Sequence, residues 1–159
     1  MKKVVLGLLA GCLLIESAFA QSPMKRATFS IHAGYQILTW SDVVSQHITL
    51  EGRAGIRLAK SFELSPEIMF SSEGHGGYLP ADRTCFYPGF IANYVTRRFF
   101  AGAGLVIPLQ EYRPAELSPK VNLGLVFGRF MLTAHLIISK LERGSGPSPA
   151  FGLSAGYRF

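Results

Sequence analysis

Residues 121–139 read VNLGLVFGRFMLTAHLIIS, and their side chains alternate with a period of two on either side of a short break. Val121, Leu123, Leu125 and Phe127 share one face of the first arm, opposite Asn122 and Gly124. Phe130, Leu132, Ala134, Leu136 and Ile138 share one face of the second, opposite Met131, Thr133, His135, Ile137 and Ser139. Neighbouring side chains of a strand point to opposite faces, so this is the pattern of two β-strands. Gly128-Arg129 reads as a two-residue hairpin turn that pairs Phe127 with Phe130 and keeps both apolar faces on one side.

The same alternation recurs along the chain. Apolar positions fall at Phe29 to Ile37, Ile48 to Leu58, Phe62 to Phe70, Phe86 to Tyr94, Phe99 to Ile107 and Phe151 to Phe159, which with the first two arms makes eight strands. Leaving out the less regular fourth segment, the apolar faces hold 35 positions and no charge. Random placement at this chain's charge content would put roughly six there, and depletion of that kind marks the lipid-facing side of a transmembrane barrel. The opposite face is mostly small residues and glycine, as a narrow barrel lumen requires. A soluble sandwich also alternates, but its polar face is solvated and charge-rich.

Turn lengths supply a second test. Arg97-Arg98 pairs Thr96 with Phe99, and Ala59-Lys60-Ser61, read as a three-residue turn, pairs Leu58 with Phe62; both preserve the faces. The alternate connections are longer, at about 38–47, 72–85, 108–120 and 140–150. Short turns at one end and long loops at the other are the outer-membrane arrangement, with both termini at the turn end. Pro66 falls mid-strand, where it has no N–H for the ladder, and predicts a bulge; Pro88 lies near the start of its strand.

At 159 residues the chain has room for one domain. It is 48% hydrophobic, 12% aromatic and 16% charged, which excludes disorder. Met1-Lys2-Lys3, an apolar run from Val4 to Ile15 and Ala18-Phe19-Ala20 read as a signal peptide over residues 1–20, leaving 21–159 as the barrel domain. Leu9-Ala10-Gly11-Cys12 offers a rival cut, with lipidation at Cys12. No apolar run after residue 20 reaches eighteen residues, so helical spans are excluded. Past that cut the chain keeps one cysteine, Cys85, which reads as a buried or loop-shielded thiol; an intermolecular bridge is the alternative.

The face assignment sends Glu51, Arg53, Arg57, Glu63, Glu67 and Arg158 into the lumen. Three negative and three positive charges there read as an internal salt-bridge network, because unpaired buried charge is very costly. Ser30, His32, Gln36, Asn93, Asn122, Thr133, His135, Ser139 and Ser154 flank it. Lys120, Lys140 and Arg143 flank the predicted outer loops and are candidates for contact with lipopolysaccharide phosphates. Trp40, Tyr78, Tyr112 and Tyr35 would form an outer aromatic girdle, and Tyr94, Phe99, Phe130, Tyr157 and Phe159 an inner one.

The closing GLSAGYRF, residues 152–159, resembles the assembly signal of outer-membrane barrels. FELSPEIMFSS at 62–72 and GAGLVIPL at 102–109 resemble the porin-family outer-membrane β-barrel domain, akin to small OmpA- and OmpX-like barrels. The resemblance covers most of the chain after residue 20. It implies an eight-stranded antiparallel barrel in the bacterial outer membrane, partnered by membrane lipid. It also implies recognition by the outer-membrane insertion machinery, with Tyr157 and Phe159 at the family's aromatic positions. It implies neither one activity nor a pore.

No cofactor or metal site is expected, since the four histidines are scattered and lack a cysteine pair to join them. The chain's formal charge of +6 is dispersed, without the cluster that nucleic acid requires. Catalysis is weighed because some eight-stranded barrels modify lipid A with a serine and a histidine. His135 and Ser139 lie four residues apart on one strand, roughly 13 Å, beyond a nucleophile–base contact. His32 and Ser154 meet across the barrel closure, but inside it. The expected role is structural or surface-interacting through the outer loops, with no enzyme activity. A narrow pore, a soluble lipocalin-like binder of an apolar ligand and a lipid-A-modifying enzyme are the alternatives.

Overall fold

The computed structural model describes residues 27–40, 43–73, 84–109, 116–140 and 147–159. Eight strands follow one another, β1 (Ala27–Trp40), β2 (Val43–Ala59), β3 (Phe62–Glu73), β4 (Thr84–Val95), β5 (Phe99–Val106), β6 (Ser118–Phe127), β7 (Phe130–Lys140) and β8 (Pro147–Arg158). Each pairs antiparallel with the next, and β1 closes on β8 to form a barrel. The predicted signal peptide with Cys12, the Arg143 site and the Tyr78 and Tyr112 girdle positions lie outside the described residues.

The register fixes the size of the lumen. Paired residues lead from Ala27 through Ile56, Leu64, Ala92, Ala103, Val121, Leu136 and Phe151 back to β1 at Ile37, ten residues along the strand. With strands about 4.8 Å apart and about 3.3 Å per residue, that stagger tilts the strands by about 40° and gives a radius of about 8 Å. Such a cylinder has space for side chains and little else. Glycines on the inner wall make the packing feasible. The His135 ring lies where a side chain on Gly152 would stand, the His32 ring over Gly156 and the Phe100 ring over Gly124.

Burial is inside-out relative to a protein in water. Leu153 is 69% exposed and Ile48 65%, in company with Phe62, Phe90, Leu123, Phe130 and most other large apolar residues of the outward faces. Along β6 burial alternates residue by residue for its whole length. Toward the axis lie Glu51, Arg53, Glu67 and Lys120, all buried.

Three local expectations are corrected. The interval 38–47 is mostly strand, because β1 and β2 pair as far as Trp40 and Val43. The turn after β2 is Lys60-Ser61 alone, with Ala59 paired to Phe62 and a bulge between Arg57 and Ala59. The bulge absorbs one residue, so Leu58 and Phe62 still both face outward. Pro66 makes no bulge. The β2–β3 ladder passes from Arg53 opposite Glu67 to Ile56 opposite Leu64 in unbroken register, and Pro66 pairs with Phe90 on its other side. The proline removes bonding toward one neighbour without inserting a residue.

Candidate functional site

The lumen is layered, and β7 shows the sequence of layers: Met131 at the tight-turn end, then Thr133 and His135, then Ile137. At the turn end Val95, Phe100, Val126 and Met131 pack into one apolar cluster. At the other end Met69, Cys85, Tyr87, Val106, Ile137 and Ala150 form a second, with Leu38 against it. Between them sits the charged layer. Met131 and Ile137 face inward as the alternation of β7 predicts, and with Met69, Tyr87 and Val95 they cap the charged layer with hydrocarbon at both ends.

The charged layer is a four-membered cluster. Glu51 and Arg53 stand two apart on β2, hence on one face, and Glu67 lies opposite Arg53 on β3. Arg53 Nε donates to Glu51 Oε1 at 2.5 Å and lies 3.3 Å from Glu67 Oε2. Lys120 crosses the lumen from β6, and its Nζ donates to Glu51 Oε1 at 3.1 Å and to Glu67 Oε1 at 2.6 Å. Each carboxylate thus touches both cations, and the net charge is zero. This alternation is what allows four charges to leave water together. The guanidinium carbon of Arg53 also lies over the Phe100 ring, 5.8 Å from its centroid, within cation–π range.

Lys120 is therefore not where the sequence reading put it. Its side chain is fully buried in the lumen, because β6 begins at Ser118 and Val121 faces outward. A side chain so enclosed makes no contact with lipopolysaccharide. Lys140 ends β7 opposite Pro147. Arg57, Glu63 and Arg158 stand toward the turn end, half-buried. Ser65 Oγ donates to Glu63 Oε1 at 3.1 Å, and Arg158 Nη2 points at Met131 Sδ at 3.7 Å. Glu63 and Arg158 line a small cavity with Ser30 and Arg53, but no ion pair joins Arg57, Glu63 or Arg158 to the central four among the described residues.

His32 Nε2 lies 3.0 Å from Ser30 Oγ rather than against Ser154, a two-residue strand pairing that the sequence reading missed. His32 Nδ1 has no hydrogen-bond partner among the described residues. The cavity beside Ser30 measures about 20 Å³, room for a single water. Among the described residues no acid is hydrogen-bonded to His32 Nδ1, and a cavity of that size has no space for an acyl group. His135 Nε2 faces Gln36 Oε1 at a long 3.4 Å. Cys85 is buried, as expected. Among the described residues no group of three or more His, Cys, Asp or Glu is placed to hold a metal ion.

At the turn end the girdle aromatics touch. Tyr94 packs against Phe62 with ring centroids 5.7 Å apart and against Phe99 at 6.4 Å. Tyr157 packs edge-on against Phe130 at 5.5 Å and Phe159 at 5.2 Å. Tyr35 is exposed on β1.

No protein-family model matches the chain, and no curated protein matches it. Solved structures do. Neisserial surface protein A aligns with a TM-score of 0.63 at 14% identity, over 83% of this chain and 95% of that one. Ail, the attachment invasion locus protein of Yersinia pestis, crystallised with the heparin analogue sucrose octasulfate, aligns at 0.52 and 18% identity, over 84% and 99%. A de novo designed transmembrane β-barrel aligns at 0.50 and 10% identity, over 87% and 98%. At these identities the likeness is one of fold. The chain has the closed eight-stranded antiparallel barrel of small outer-membrane and designed transmembrane proteins, and the expected likeness to small OmpA- and OmpX-like barrels holds for the fold.

Proposed function

We propose that this protein is an integral barrel of the bacterial outer membrane whose filled lumen is its core and whose role is exercised at its surface. It braces the envelope and presents the ends of its longer connections to ligands outside. The observation that supports this most is the belt of exposed isoleucine, leucine and phenylalanine on the outer wall, facing outward while the charges face the axis. In water that belt would be a large unpartnered apolar surface, whereas acyl chains match it. The apolar caps and the neutral charge cluster favour a support over a conduit, since an ion entering would have to displace paired side chains. Two of the similar structures are named for surface and attachment roles, which is in keeping with this reading.

Fractionation tests it. The protein is expected to stay with outer membranes through a carbonate wash and to leave them only in detergent. On a gel it is expected to migrate differently before and after boiling. Release by carbonate alone would contradict membrane integration and favour a soluble binder.

A further inference from the structure

The tight-turn end of the barrel is built to a repeated plan. Each turn's last carbonyl accepts a hydrogen bond from the end of the strand that follows its hairpin: Val95 N of β4 donates to Ser61 O, Val126 N of β6 to Arg98 O and Arg158 N of β8 to Arg129 O, each at 2.8 Å. The turns are thus locked to one another around the rim. Their charged side chains are Lys60, Arg97, Arg98 and Arg129, all exposed and all basic. No acidic side chain among the described residues is exposed at this end. The opposite connections, residues 41–42, 73–83, 110–116 and 140–146, carry six acidic and four basic residues by sequence. The asymmetry is a property of the rim and does not follow from the chain's overall charge.

Arg129 shows where this charge is directed. Its Nη1 donates to Tyr157 Oη at 3.1 Å, which holds the guanidinium on the outer wall beside the Phe130–Tyr157–Phe159 aromatic triad. Aromatic triads of this kind sit at the boundary between acyl chains and headgroups. The guanidinium keeps further N–H donors, and the tyrosine hydroxyl keeps its own proton to donate. Two residues further up the same strands from Tyr157 and Phe130, Ala155 and Leu132 border an outward hollow of about 610 Å³. Phe99, Leu123, Leu125, Ala134 and Leu153 also line it. The hollow exists because Ala134 and Ala155 interrupt a face otherwise made of leucine and phenylalanine. A cationic, hydrogen-bonding mouth joined to an apolar trough is the negative image of an anionic lipid.

We propose that Arg129 and Tyr157, with Arg97 and Arg98 on the neighbouring turn, bind the phosphate of an anionic glycerophospholipid in the leaflet the turns face, one acyl chain lying in the hollow between β5 and β8. This rests on the membrane reading above. The guanidinium takes two phosphate oxygens in its fork, the geometry in which arginine binds phosphate most strongly. The hollow decides for a lipid over a free anion.

Native mass spectrometry tests the site on barrel refolded in zwitterionic micelles and titrated with equal amounts of phosphatidylglycerol and phosphatidylcholine of matched chains. One phosphatidylglycerol is expected to be retained in preference. Arg129→Gln is expected to weaken retention at least about tenfold, the size of a lost hydrogen bond to a charged group. Ala155→Phe, which fills the hollow, is expected to weaken long-chain phosphatidylglycerol but not its dihexanoyl form, and excess inorganic phosphate is expected not to displace the lipid. Equal retention of the two lipids, an unchanged Arg129→Gln or displacement by phosphate would overturn the site. Gel mobility before and after boiling, run on every sample, separates the two readings. A shifted band without lipid selectivity removes the site alone, whereas a wild-type protein with no shifted band removes the barrel reading and the site with it.

Discussion

Lys120 reaches across the lumen to two carboxylates on strands far from its own in sequence, and it ties opposite walls of the cylinder together. Glu51 and Glu67 would otherwise share the single charge of Arg53 in a dry interior. Lys120→Met is therefore expected to destabilise the barrel by about 3–5 kcal/mol, the cost of breaking a buried cluster from one side. Adding Glu67→Gln restores neutrality and is expected to recover most of that loss. Urea titration in micelles, read from the gel shift, checks both; a Lys120→Met barrel as stable as wild type would contradict the cluster's role. The residue was legible by parity, since Val121 faces outward and its neighbour must face in. What obscured it was its setting. It closes the interval 108–120, which reads as a connection, and the regular alternation that fixes the phase starts only at Val121. Arg53 and Glu67 were easier to place because each stands mid-strand, between apolar residues that fix the phase.

The β6–β7 hairpin was the most legible element. Its alternation runs unbroken into both arms, and Gly128 adopts a φ of 65° between Phe127 and Phe130, which pair directly. A side chain at Gly128 would meet no atom within 4 Å, so the requirement is one of backbone conformation. Gly128→Ala is thus expected to cost about 1 kcal/mol, and Gly128→Asn less, because asparagine tolerates left-handed geometry better. Refolding midpoints of the two variants measure this; equal effects would show that backbone conformation is not the cause. Elsewhere element boundaries were harder to read. The β1–β2 hairpin continues past Ile37 through Thr39 and Val44, polar and apolar positions that lack the strict alternation of the barrel wall. Pro66 was expected to break register, yet one missing N–H leaves a gap that the flanking pairs bridge. Residue identity shows which bond is lost, whereas the ladder as a whole decides whether the register moves.

One inversion organises the described structure: hydrocarbon outside, charge within, and glycine where the His32, Phe100 and His135 rings take up the inner wall. The narrow radius follows from strand number and stagger, and it explains why the inner wall combines a paired-charge layer with apolar caps. Fold class and facing were readable because period-two patterning is a local signal. Cross-lumen contacts were not, because which strand meets which across the axis depends on the closed register. Nitroxide scanning of β6 from Val121 to Phe127 in lipid vesicles tests the inversion most directly. Labels at Val121, Leu123, Leu125 and Phe127 are expected to be open to oxygen dissolved in the bilayer and closed to a water-soluble nickel reagent, while labels at Asn122, Gly124 and Val126 are expected to be closed to both. High nickel access at Leu123 and Leu125 would place those leucines in water and contradict the account.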